Sequence, residues 1–142
     1  MKSKLDELSQ RYLILFKLDA TRLFERIKHR KPQYLEIFAL KRTREHYRDI
    51  FFSRYTQATI QELAQCGQDI IAALDDYYGR VEALNWYLNH TEDMPVTIDE
   101  KLEREIKKME QLLSKLRLYI DAELGIIKEA NNISDIPTPP ID

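Results

Sequence analysis

The chain has 142 residues, 44% apolar and 32% charged, with 3 glycines, 5 prolines and 1 cysteine. A chain of this size can bury a core of its own without a staple, and a lone Cys66 excludes an intramolecular disulfide. The net charge of −2 conceals an asymmetry: residues 1–54 hold 14 Lys and Arg against 7 Asp and Glu, and the remainder holds 8 against 17.

Four helical segments are predicted, and no strand. Alternating apolar and polar runs are absent, as are Asn-Gly and Asp-Gly hairpin signals. The first helix is expected over residues 5–30, with the stripe Leu5, Leu8, Tyr12, Phe16, Ala20, Leu23 and Ile27 and a stop at Pro32. Its apolar run, residues 12–16, is too short for a signal segment or a membrane span. A cytoplasmic location without membrane association is therefore expected.

A second helix is expected over residues 34–55, on the stripe Ile37, Leu40, Arg44, Tyr47, Phe51 and Tyr55. The third carries the longest seam: Ile60, Leu63, Gly67, Ile70, Leu74, Tyr77, Val81, Leu84 and Leu88 recur at steps of three and four. Thr59 and Glu62 form a capping-box signature at its start, with Thr56 as a second candidate cap. Stepping back from Ile60 in phase meets only polar residues, so a turn or kink is expected near residues 54–58, with one continuous helix as the alternative. Gly67 reads as a close-packing point inside this helix rather than a break.

Residues 90–96 read as a loop. Thr97 and Glu100 give another capping-box signature before a fourth helix expected over residues 98–130. Its seam is Ile98, Leu102, Ile106, Met109, Leu113, Leu116, Ile120, Leu124 and Ile127. Glu100 with Arg104 and Glu103 with Lys107 are expected pairs on its outer side. Asn131 and Asn132 end it, and residues 131–142 form a Pro-rich tail expected to be mobile or extended.

Short loops imply antiparallel neighbours. A fold about residue 93 sets Leu84 against Leu102, Tyr77 against Met109 and Gly67 against Ile120. A fold at Pro32 sets Phe16 against Tyr47 and Tyr12 against Phe51. The fold class expected is all-α: an antiparallel up-down-up-down four-helix bundle with long helices, spanning residues 1–130 as a single domain.

Few residues break these rules. Arg44 sits in an apolar stripe level with Asp19 and Ala20, which reads as a structural ion pair between Asp19 and Arg44, or as an anion site gated by Asp19. Arg22, Arg26 and Arg30 form one basic stripe and Lys41, Arg44 and Arg48 another, with Lys28 and Lys31 at the hairpin tip. Together they make a candidate anion or nucleic-acid surface, although interspersed carboxylates favour internal neutralisation. The aromatics Phe52, Tyr78, Trp86 and Tyr87 cannot all face one seam, so some aromatic surface is expected at the flank as a protein-binding site. His29, His46 and His90 fall in no Glu-x-x-His pair, and no Gly-rich phosphate loop or nucleophile elbow occurs. No cofactor, metal or catalytic residue is expected. The first functional reading is a non-enzymatic helical interaction module, an adaptor, assembly factor or chaperone-like protein that forms homo-oligomers. A nucleic-acid or acidic-partner binder, and a small-ligand or metal site in the bundle core, are the alternatives.

Overall fold

The computed structural model describes residues 7–39, 44, 45 and 47–125. Among them every regular element is helical: α1 (Glu7–His29), α2 (Lys31–Ala39), α3 (Tyr47–Ile50), a 3-10 turn (Arg54–Gln57), α4 (Ile60–Leu63), α5 (Gln68–His90) and α6 (Pro95–Leu124). Leu5, Leu40, Lys41, His46, Ile127 and the tail lie outside the described residues. No described helix is long and apolar enough to cross a membrane.

α6 is central. It packs along α5 and also along α1 and α2. Lys17 pairs with Asp121 at 2.6 Å, and Lys31 pairs with Asp99 at 3.1 Å, so α1 and α6 run in opposite directions. Ser9 donates to Gln65 at 3.0 Å, and the Tyr77 hydroxyl donates to the Ala20 carbonyl at 2.7 Å. These contacts set α1 and α5 parallel. Ile98, Leu102, Met109, Leu116 and Ile120 are fully buried on the one face that α6 turns to both neighbours.

The α5–α6 hairpin has the register its loop implies. Arg80 meets Glu105 at 3.2 Å and Lys101 lies 5.2 Å from the Tyr87 ring centroid, whereas Gly67, expected against Ile120, lies against Glu123. Its ends differ from expectation. α6 starts at Pro95 with Met94 as its N-cap, so Thr97 and Glu100 lie inside the helix and form no cap. Proline at the first helical position loses no hydrogen bond and has its φ already set, which moves the start forward. The helix ends at Leu124, before the expected residue 130, where Gly125 takes a left-handed φ of 85° and its N–H closes onto Ala122. Glu103 holds Lys31 at 2.9 Å.

Three other expectations are corrected. The second helix is not one rod: α2, α3 and the 3-10 turn take its place, with residues 51–53 non-helical between the last two. Its aromatics reach the core from short pieces instead of one face. Phe16 therefore meets Tyr55, at 6.1 Å, while Tyr47 packs edge-on to Tyr34 at 5.7 Å. The third helix breaks at Gly67, which is the N-cap of α5 with an extended ψ of 158°. A Cβ there would meet the Glu123 carboxylate at 3.1 Å, so Gly67 is both a close approach and a break. Ile60, read as the first seam residue, is 83% exposed. The Thr59–Glu62 capping box does form, around the single turn of α4. Finally, the buried stripe of α1 is Ser9, Leu13, Phe16, Ala20, Leu23, Phe24 and Ile27. Leu8 is exposed and Tyr12 only half-buried.

Gly79 sits in the middle of α5 on its outer side, and a Cβ there would meet nothing within 4 Å. Glycine in such a position costs about 1 kcal/mol relative to alanine with no steric return. Gly79→Ala is expected to raise the melting temperature by about 4 °C. A fall would mean that the added methyl meets an obstacle.

Candidate interaction surface

Residues 51–57 are pinned to the long helices through one carboxylate. Asp19 Oδ2 accepts the Tyr78 hydroxyl at 2.6 Å and the Ser53 hydroxyl at 2.7 Å, while Oδ1 accepts the Arg54 N–H at 3.0 Å. Ser53 in turn caps the 3-10 turn by accepting from the Tyr55 N–H. The Tyr55 and Tyr78 rings stack at 4.0 Å, nearly parallel. Burial, and then the hydrogen bond to Asp19, hold the Tyr78 phenol far above its ordinary value. The Arg26 guanidinium donates to the Ile50 and Phe52 carbonyls, satisfying the end of α3.

This clamp holds Phe52 and Arg54 outward beside α1. A shallow groove of about 160 Å³ is lined by Leu15, Leu18, Asp19, Arg22, Arg26, Phe52 and Arg54. A second groove of about 220 Å³ continues it along Tyr12, Phe16, Gln57, Ala58 and Glu62. Leu15 and Phe52 are each 53% exposed, and Leu8, Ile14 and Leu18 are between 43% and 47% exposed. α1 thus buries one face and turns a second apolar face to water. The sequence carried a signal for it: residues 12–16 are apolar around the whole helix circumference, more than one stripe can cover.

The predicted aromatic site is divided. Phe52 belongs to the α1 surface. Tyr78 is buried and works in the Asp19 clamp, so it is corrected from a surface residue to a core one. Trp86 is exposed and stacks on His90 at 4.5 Å near the end of α5. The Tyr87 hydroxyl donates to Asp93 at 2.7 Å, and burial and that bond push its pKa up.

The predicted basic residues are likewise dispersed. Arg22 and Arg26 share the groove with Arg54, which the sequence reading did not single out. Lys28 lies over the Phe24 ring and Arg30 donates to Gln33. Lys31 is held between Asp99 and Glu103, and its hydrogen bond to Glu103 raises its pKa. Arg44 does not reach Asp19. It donates to the Leu88 and Asn89 carbonyls at the end of α5, where helix carbonyls favour a cation, and lies 3.5 Å from Glu92. Arg48 lines an open cleft with Arg44, Glu45, Asn85 and Asn89. Lys41 lies outside the described residues.

Two further groups are buried. Glu105 is 5% exposed and is met by Arg80 and, at 3.9 Å, by Lys101. Cys66 is buried with its thiol pushed up to about 11, mainly by burial and then by Glu123. Such a thiol is a poor nucleophile at neutral pH. Among the described residues no three His, Cys, Asp or Glu side chains gather as a metal cluster. The chain matches no protein-family model, no curated protein and no solved structure.

Proposed function

We propose that this chain is a non-enzymatic helical interaction module that associates with itself through the outer face of α1 and the adjoining Phe52. One observation carries the reading: α1 already has a covered core face, yet presents Leu8, Ile14, Leu15 and Leu18 on the opposite side, continuous with Phe52 and rimmed by arginines. Apolar patches with polar rims are a common feature of protein-binding surfaces. The long helices fit an up-down-up-down four-helix arrangement in which α2, α3 and the 3-10 turn stand in for the second rod. A single buried thiol suits the reducing cytoplasm. The dispersed basic residues lend less support to a nucleic-acid surface, because Lys31, Arg26 and Arg44 already have internal partners.

Sedimentation velocity over a concentration series tests the proposal. The native chain is expected to self-associate at micromolar concentration. Leu15→Glu combined with Leu18→Glu is expected to weaken that association about 100-fold while leaving helix content unchanged. A native chain that stays monomeric up to roughly 1 mM overturns it.

A further inference from the structure

We infer that two copies join about a two-fold axis parallel to the long helices, so that the α1 flank of each copy meets the α5 flank of the other. This rests on the self-association reading above and adds the second half of the interface.

The argument begins with the residues on either side of the 51–57 segment. On α1, Leu15, Asp19 and Arg22 follow one another at helical steps, with Phe52 and Arg54 beside them. On α5, Ile71, Asp75, Tyr78 and Glu82 do the same. Asp19 and Tyr78 are bonded at 2.6 Å, so they fix the level of the two flanks. Because α1 and α5 run parallel, Arg22 is then level with Glu82, and Leu15 lies level with the turn between Ile71 and Asp75. Asp75 and Glu82 stand one turn below and one turn above Tyr78, whose ring stacks on Tyr55. Both carboxylates act through space on the Tyr55 phenol, adding to burial in raising its pKa. The acidic flank therefore borders the same segment as the basic one.

One side of the molecule thus has an apolar and cationic half (Leu15, Phe52, Arg22, Arg54) and an apolar and anionic half (Ile71, Asp75, Glu82). All seven are exposed, and Ile71 is 38% exposed. A two-fold axis parallel to the helices exchanges the halves and keeps the levels. Arg22 then faces the partner's Glu82, Leu15 faces the partner's Ile71, and Arg54 faces the partner's acidic flank. An axis perpendicular to the helices would instead set α1 on α1, bringing arginine-rimmed surfaces together. Charge complementarity selects the first arrangement, and two-fold closure consumes both halves at once.

Charge exchange tests this. Arg22→Glu with Arg54→Glu makes one variant, and Asp75→Lys with Glu82→Lys makes the other. These four side chains are exposed, and circular dichroism checks that each variant folds. Sedimentation velocity is expected to show each variant alone weakened about 30-fold or more in self-association, and the equimolar mixture restored to within about threefold of the native dimer. The restored species should have the mass of two chains. Two results overturn the arrangement while the self-association reading stands. In one, both charge variants dimerise like the native chain although Leu15→Glu with Leu18→Glu abolishes dimerisation. In the other, both charge variants dissociate but the mixture does not recover. A native chain that is monomeric throughout, including one that binds vesicles of anionic phospholipid through α1 as a monomer, overturns both.

Discussion

Alkali is expected to unfold this protein cooperatively between about pH 10 and 12, with tyrosinate absorbance and loss of helix changing together. Tyr34 and Tyr77 are fully buried and Tyr78 nearly so, and burial is the main cause that raises all three phenols. Burial also lifts Tyr47, to about 12. In the unfolded chain these phenols lose their protons near pH 10. The folded chain holds them to higher pH, so their contribution is complete below about pH 10 and is lost above it. Each tyrosine still protonated in the fold then favours unfolding by about 1.4 kcal/mol per pH unit. Four acting together would exhaust an ordinary stability of roughly 5–15 kcal/mol within about two units. Cys66, held up to about 11, pushes in the same direction from a slightly lower pH. A pH titration followed by circular dichroism and absorbance measures it. Tyrosines ionising near pH 10 with the helices intact would mean that these rings are in contact with water.

Asp19→Ala is expected to cost about 3 kcal/mol, or about 10 °C in melting temperature. The substitution strands the Tyr78 and Ser53 hydroxyls and the Arg54 N–H, which have Asp19 as their shared acceptor. Tyr78 and Ser53 are buried, so water cannot readily replace the lost partner. The same change should release Phe52 and Arg54 from α1 and weaken self-association beyond what the loss of stability explains. Asp19→Asn keeps the shape and one oxygen acceptor, and should recover part of the loss. A melting temperature within about 2 °C of the native value for Asp19→Ala would show that the segment is held by other contacts.

The α5–α6 hairpin could be read from sequence because its signals are local: a phase-true seam on each side and a short connection that Pro95 closes as the first residue of α6. The all-helical class followed from the same periodicity. The region from 31 to 67 resisted such reading for a physical reason. Tyr47, Phe51 and Tyr55 do pack inward, so their spacing resembles one stripe, yet they come from three separate pieces: α3, the non-helical residues 51–53 and the 3-10 turn. Periodicity cannot distinguish a continuous rod from short pieces whose side chains converge on one core. Gly67 was obscured similarly, since Leu63 and Ile70 stay in phase across the break. Asp19 was misread for want of partners: its donors lie 34, 35 and 59 residues away. No local pattern announces contacts of that separation. The outer face of α1 was discernible in principle, because a helix with more oily positions than one stripe accommodates must leave some uncovered.

The central place of α6 bears on how the chain assembles. The α5–α6 hairpin closes a short loop and can zip from its connection, which is entropically cheap and fast. α1 has the short α2 beside it in sequence but packs chiefly on α6. It must find a groove on a hairpin whose far helix lies some hundred positions downstream, as the Lys17–Asp121 pair illustrates with its separation of 104. The α5–α6 hairpin is therefore expected to form first and to be the template on which α1 docks late. Of the described helices α1 is made before α6, so the side of α1 that packs on α6 stays uncovered until α6 is made.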